Sequence, residues 1–163
     1  MKISPLKVAG SLFISLLLIS TMTIAYGGAE STLKPPSWFY NISEAKELAA
    51  KTGKPILISF AGSDWCKPCI LLTREVFETD KFVSYADKNL ILVLADFPRY
   101  KKNRLPEQQV KHNEALAEKF NREGSFPLVV LIDSEGTVKG KTGYLEGGPE
   151  DYITHLNTLL AEK

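Results

Sequence analysis

The sequence is short of most groups that announce a chemistry. It has only two cysteines, Cys66 and Cys69, and only two histidines, His112 and His155. Two cysteines build no framework of structural bridges. A bridge between these two would close so small a loop that its entropic stabilisation would be slight. A tetrahedral zinc site needs two further Cys or His ligands, and the two histidines lie far apart with no paired spacing. Charge of one sign is also lacking. Twenty Lys and Arg balance 19 Asp and Glu, a formal net charge of +1. That balance gives no support to nucleic-acid binding or bulk attachment to an anionic membrane. No internal repeat, low-complexity run or cofactor motif is present. The glycines at 147–148 follow no strand into a phosphate-binding loop.

What is present is Trp65-Cys66-Lys67-Pro68-Cys69, placed where a strand turns into a helix. Pro55 to Ala61 before it is short and apolar. Ile70 to Phe77 after it has helical spacing, with Cys69, Leu72 and Val76 on one face. A helix N-terminus offers unpaired N–H groups and the positive end of the dipole, so it favours an anion. Here that anion is the Cys66 thiolate, with Lys67 adding a positive charge beside it. Pro68 fits the first turn because its missing N–H would have no partner there. Cys69, one turn further in, is expected to be the more buried and less acidic thiol. The pattern predicts a division of labour: Cys66 attacks a disulfide, and Cys69 resolves the mixed disulfide.

The chain of 163 residues and 18.1 kDa suits one domain and a targeting segment. Lys2 and Lys7 precede an uncharged stretch from Val8 to Ala29 whose core, Leu12 to Ile19, is strongly apolar. Small residues at Ala25, Gly27 and Ala29 complete the pattern of a secretory signal, with cleavage expected after Gly27 or Ala29. The alternative is an uncleaved anchor helix, for which the stretch is only marginally long. No cysteine stands directly after it, which argues against a bacterial lipid anchor. Residues 1–29 are thus assigned to the signal or anchor, 30–37 with Pro35-Pro36 to a linker, and 38–163 to the domain. An extracytoplasmic location, where disulfides persist, follows.

Along the domain, Trp38-Phe39-Tyr40 is an aromatic opening, either a short strand or a cap on the core. Ser43 is the expected N-cap of a helix through Lys51 with Ala45, Leu48 and Ala49 inward, ended by Gly53. Thr79-Asp80 starts a helix through Lys88. Leu90 to Leu94 is a continuous apolar run, as in a strand buried on both faces. Residues 97–105 carry Arg99, Lys101, Lys102 and Arg104, and read as a solvated loop or a docking patch for an acidic partner. Pro106 opens a helix to about Asn121 that contains His112, a surface or capping residue on this reading. Leu128 to Ile132 is a strand, with 133–136 turning into a hairpin partner over 137–143. Pro149 starts the last helix, with Ile153, Leu156 and Leu160 on one face. The order predicts an α/β domain with a central mixed sheet and helices on both faces.

Strand–Trp65-Cys66-Lys67-Pro68-Cys69–helix, and Phe126-Pro127 just before a strand and hairpin, resemble the thioredoxin superfamily over roughly Trp38 to Leu160. More narrowly, the Gly-Ser-Asp-Trp-Cys approach, Asp96-Phe97-Pro98, Pro106-Glu107-Gln108-Gln109 and Gly143-Tyr144 with Gly147-Gly148 resemble the secreted bacterial DsbH-like thiol oxidoreductases. The resemblance implies a thioredoxin-like fold and a cis peptide at Pro127, packed against the cysteine pair. It also implies that the Phe126 backbone pairs with substrate chain in a β-like contact. By its residues alone, Pro127 reads as an ordinary trans proline at a strand entry. Ser59 falls where cytoplasmic thioredoxins bury an aspartate, which leaves water or Asp64 to take the Cys69 proton.

The expected function is a periplasmic thiol–disulfide oxidoreductase working as a reductase of protein disulfides. Cys66 and Cys69 are catalytic, and Trp65, Lys67, Pro68, Phe126 and Pro127 form the substrate-binding lip. No cofactor or metal is expected. The partners are disulfide-containing proteins and, by the resemblance, a membrane thiol donor of the DsbD type, with the protein acting as a monomer. The alternatives are a disulfide oxidase or isomerase, a non-catalytic module that holds unfolded chains, and a copper or haem maturation partner with a histidine beside the cysteines.

Overall fold

The computed structural model describes residues 36–161. The signal or anchor assigned to 1–29 lies outside the described residues, as does most of the linker. Twelve elements follow in order. Strand β1 is Trp38–Phe39, helix α1 Ile42–Thr52 and strand β2 Ile56–Ala61. Helix α2, Lys67–Leu72, runs into a π-helical turn, Thr73–Phe77. Helix α3 is Asp80–Asn89 and strand β3 Ile91–Asp96, followed by a 3₁₀ turn at Lys101–Asn103. Helix α4 is Glu107–Phe120, strand β4 Leu128–Ile132, strand β5 Val138–Thr142 and helix α5 Gly148–Ala161.

The five strands lie in the order β1-β3-β2-β4-β5. β2 is parallel to β3 and antiparallel to β4. All six residues of β2 are buried, because helices cover both faces of the sheet. Alternation then divides the strand. Ile56, Ile58 and Phe60 pack with Ala45 and Ala49 of α1 and Leu116 and Phe120 of α4. Leu57 packs on the other face, with Leu72, Val76, Phe82, Ala86, Tyr152 and Leu156 from the α2–π segment, α3 and α5. The mixed sheet with two helical layers agrees with the sequence reading. β5 is an edge strand, and it carries Lys139 and Lys141, side chains that discourage further strand pairing.

Two details of α1 differ from expectation. Its N-cap is Asn41, whose side chain accepts from the Ser43 N–H at 2.9 Å. Asn41 has the extended backbone a cap requires, and Ser43 already lies within the helix. Leu48 is 37% exposed, whereas Ala45 and Ala49 are buried. The helix lies so close to the sheet that only the narrow alanine stripe faces it, and Leu48 falls on the flank. Gly53 ends the helix in the left-handed conformation, φ 71°, with its N–H bonded to the Ala49 carbonyl. His112 reaches over from α4, and its Nε2 accepts the Ile42 N–H at 3.2 Å. It thereby satisfies one of the unpaired donors at the start of α1.

Trp38 and Phe39 of the aromatic opening form a strand and pack on the core, while Tyr40 is exposed. Trp38 packs edge-on to Phe77, which also meets Phe82 and Tyr152. Tyr152 is fully buried and donates its hydroxyl to the Gly143 carbonyl at 3.0 Å. Its burial raises the phenol pKa. The sequence reading of α5 named Leu156 but passed over Tyr152.

Candidate active site

β2 delivers the chain to a turn in which the Gly62 carbonyl accepts from both the Trp65 and Cys66 N–H groups. Cys66 follows in extended conformation as the N-cap of α2. Its Sγ accepts from the Cys69 N–H at 3.3 Å. Pro68 occupies the first turn of the helix, where no backbone donor is needed. Cys66 and Cys69 are joined by a disulfide, with their Cα atoms 5.2 Å apart. The expected contrast in burial is slight: Cys66 is 4% exposed and Cys69 2%. Trp65, Leu94 and Phe126 close over the pair, so the outer sulfur is covered by the lip and not by depth in the helix.

The lip is assembled from three segments. The Trp65 ring lies directly over Gly62, where an added Cβ would come within 2.3 Å of it. Only glycine leaves room for that approach. The indole N–H donates to the Phe97 carbonyl at 2.7 Å. Phe126 meets Trp65 and Phe97 edge-to-face, each with ring centres 5.4 Å apart. The Phe126–Pro127 peptide is cis, as the resemblance implied and the residues alone did not. The β2–β4 ladder stops at Phe60–Leu128, so the backbone of Phe126 stands outside it beside the cysteines. Asn121 steadies the approach by exchanging two side-chain hydrogen bonds with the Ser125 backbone. Lys67 and Pro68 lie exposed on the near rim.

Two carboxylates clasp the lip together. Asp96, at the end of β3, accepts from the Ser63 N–H at 2.9 Å and the Ser63 hydroxyl at 2.6 Å. Asp64 accepts from the backbone N–H groups of Arg99 and Tyr100 and from the Asn103 side chain, each at 2.9 Å. Desolvation is the largest single influence on the Asp64 carboxyl and raises its pKa. The hydrogen bonds together outweigh it, so the group titrates below its usual 3.8. Asp64 is thus bound into the 99–103 loop, and its expected part as acceptor of the Cys69 proton has no geometric support. Behind Asp96, the buried Asn113 donates to its main-chain carbonyl at 2.8 Å and accepts from Gln109.

The basic loop is accordingly more than a solvated connection. The Arg99 guanidinium sits 3.6 Å from the centre of the Trp65 ring, in cation–π contact. Asp64, Asp96, Phe97 and Arg99 were not among the residues assigned to the site. Ser-Asp before the cysteines and Asp-Phe-Pro after β3 are turn chemistry, but nothing in the spacing says that two turns 32 or more residues apart hold each other. The histidines are engaged elsewhere: His112 caps α1, and His155 Nε2 bonds the Thr142 hydroxyl. The maturation reading, which needed a histidine beside the cysteines, loses its support.

Residues 37–134 match the thioredoxin-like family model. The disulfide bond reductase DsbH of Chlamydia pneumoniae is 35% identical over 118 residues, covering 72% of this chain and 69% of that protein. The thioredoxin-related protein DsbJ of the same organism is 26% identical, covering 95% of this chain but only 44% of the longer DsbJ. A solved structure of a DsbH oxidoreductase superposes with a TM-score of 0.73 at 32% identity, covering 80% of this chain and 88% of the other.

Proposed function

Because the chain belongs to the thioredoxin-like family, DsbH-like branch, we propose that it is an extracytoplasmic thiol–disulfide oxidoreductase that reduces disulfides in partner proteins. The observation that carries this reading is the Cys66–Cys69 pair at the mouth of α2, under a lip of Trp65 and Phe126. The likeness to a protein named as a disulfide bond reductase supports the direction. The apolar, doubly lysine-led stretch before Ala29 supports the location.

In the cycle, the reduced chain presents Cys66 as a thiolate, favoured by the unpaired N–H groups of α2 and by Lys67. Its sulfur attacks one sulfur of the substrate disulfide. A Cys66–substrate bond forms, the substrate S–S bond breaks, and the leaving thiolate takes a proton from solvent. Phe126, with its backbone outside the ladder, holds the substrate segment, and Trp65, Pro68 and Pro127 keep water from its far side. Cys69 then gives up its proton and attacks Cys66 Sγ, expelling the second substrate thiolate. Two electrons have passed to the substrate and the chain is left with its own disulfide. Ser59 stands at the buried position on β2, and Asp64 is committed to its loop. Water therefore takes the Cys69 proton. A membrane thiol donor of the DsbD type, implied by the resemblance, restores the dithiol.

The reduction potential of the Cys66–Cys69 pair tests the direction. Equilibration with dithiothreitol should place it near ~−270 mV, the thioredoxin value. A result near ~−120 mV would make the protein an oxidant. Cys66→Ser should abolish turnover, whereas Cys69→Ala should accumulate a mixed disulfide with substrate, visible as a shifted band without reductant. If Cys66→Ser kept full activity, the chain would be a binding module and not an enzyme.

A further inference from the structure

A cleft of about 460 Å³ opens beside the lip, between Trp65, the 96–105 segment and Phe126. Its walls are mostly apolar, from Trp65, Phe97, Phe126, Leu105 and Val110, with Asp96 and Asn113 as polar members. At its rim stand Arg99 and Arg104. Both are exposed, as are Lys101 and Lys102 beside them. Among the described residues no carboxylate pairs with either guanidinium. The nearest acids, Asp64 and Asp96, are held by uncharged donors, and the four cations of the loop outnumber them. Asp64 is filled by three donors and Asp96 by Ser63. A protein of near-zero net charge therefore carries a compact positive field at one place, over an apolar hole that shares Trp65 and Phe126 with the cysteine lip.

We propose that this cleft is a specificity site for the segment that carries the substrate disulfide. It takes a bulky apolar side chain next to the substrate cysteine, while Arg99 and Arg104 pair with an acidic residue of the same segment. Acidic, apolar-flanked disulfides are then the preferred substrates. The inference rests on the oxidoreductase reading and adds the substrate class to it. The physical ground is complementarity on two scales. The walls provide apolar burial for one side chain. The unpaired cations steer an oppositely charged segment and repel a basic one, an effect felt in the association rate and weakened by salt. Arg99 has a further advantage. Stacked on Trp65, it is held in place before substrate arrives, so less side-chain freedom is lost on pairing.

Three synthetic peptides test this, each with one cysteine held as a mixed disulfide with 2-mercaptoethanol. One has Phe beside the cysteine and two glutamates, one replaces the glutamates by lysines, and one replaces the Phe by Gly. The full chain, reduced, is mixed with each, and release of the peptide thiol is timed. Hydroxyethyl disulfide, small and uncharged, is the reference. The acidic Phe peptide should react about tenfold faster than the basic one at low salt, the lower end of electrostatic steering. The ratio should approach one as salt shortens the Debye length to ~3 Å. The Gly peptide should be slower than its Phe counterpart at every salt concentration. Arg104→Glu should cut the acidic-to-basic ratio severalfold, because Arg99, Lys101 and Lys102 keep the sign of the field. Equal rates for all three peptides, with the reference still reduced, would overturn the specificity site and leave the oxidoreductase reading standing. Failure to reduce even the reference would overturn that reading, and the specificity site with it.

Discussion

Phe77 and Trp65 each sit in an aromatic cluster, yet the two clusters are held by different means. Phe77 meets Trp38, Phe82 and Tyr152 in the layer between the sheet and helices α3 and α5. Of these four rings, Tyr152 bonds through its hydroxyl to the Gly143 carbonyl. Trp65 meets Phe126, and Phe126 meets Phe97. These three rings are oriented by directional bonds: the indole to the Phe97 carbonyl, Asp96 to Ser63, and Asp64 to the loop that carries Arg99. The interior layer gains its stability from apolar area removed from water, which is insensitive to the exact angle of any one ring. The lip must hold rings at the surface over a pair of sulfurs, where little area is buried. There, carboxylate clasps do what packing does inside.

Four changes would sharpen or break this contrast. The largest effect on stability should come from Tyr152→Ala. It removes a fully buried ring and its hydrogen bond, at a cost of about 3–5 kcal/mol, measured as a fall in the urea midpoint. Activity per folded molecule should be retained; if it collapsed as well, the interior and the lip would not be separable. Next is Gly62→Ala. A methyl group at 2.3 Å from the indole cannot coexist with the ring where it stands. Trp65 should shift, its fluorescence change, and disulfide turnover fall by up to about a hundredfold, with the midpoint hardly moved.

Asp64→Asn is expected to act on the loop alone. Amide exchange at Arg99 and Tyr100 should accelerate while the core amides keep their protection. In the parent, the same protection has a pH signature. The Asp64 pKa is lowered in the folded chain, so the clasp is complete above the ordinary 3.8 and is lost as pH falls through the lower folded value. The Asn variant should show no such loss. The smallest effect is Asp133→Asn, in the β4–β5 turn. The Thr137 N–H, at 2.8 Å, and then Lys139 hold the Asp133 carboxylate down to about 2. Its contribution is present above 3.8 and lost as pH falls towards 2. The variant should flatten that stretch of the acid-unfolding curve, because it already lacks this small contribution at neutral pH.

The interior was readable from its apolar runs and periods. Pro55 to Ala61 is a short apolar run of strand length, and Cys69, Leu72 and Val76 repeat the period of a helix. The cysteine spacing announced a redox centre by elimination, since no other ligands were there to make anything else of it. The basic loop was noticed for its charge alone, and its stacking on Trp65 was not foreseen. Leu48 misled because periodicity says which residues share a helix face and not how wide a stripe the sheet will cover. Tyr152 was missed because a hydroxyl counts as polar until a carbonyl is found for it.

By itself the sequence determined the strand–turn–helix that carries the cysteines, the continuous apolar run of Leu90 to Leu94 that makes a buried strand, and the two punctuations, Gly53 and Pro68, that shape the helix ends. These are local, written in residues a few positions apart. Tertiary structure alone decided that Asp64 would hold a loop 35 residues on and that Asp96 would hold Ser63. It also decided that the Phe126–Pro127 peptide would be cis, and that Arg99 would lie on Trp65. A hydrogen bond or a ring contact depends on distance and angle in space, and neither is encoded until the sheet has brought the ends of β2, β3 and β4 together.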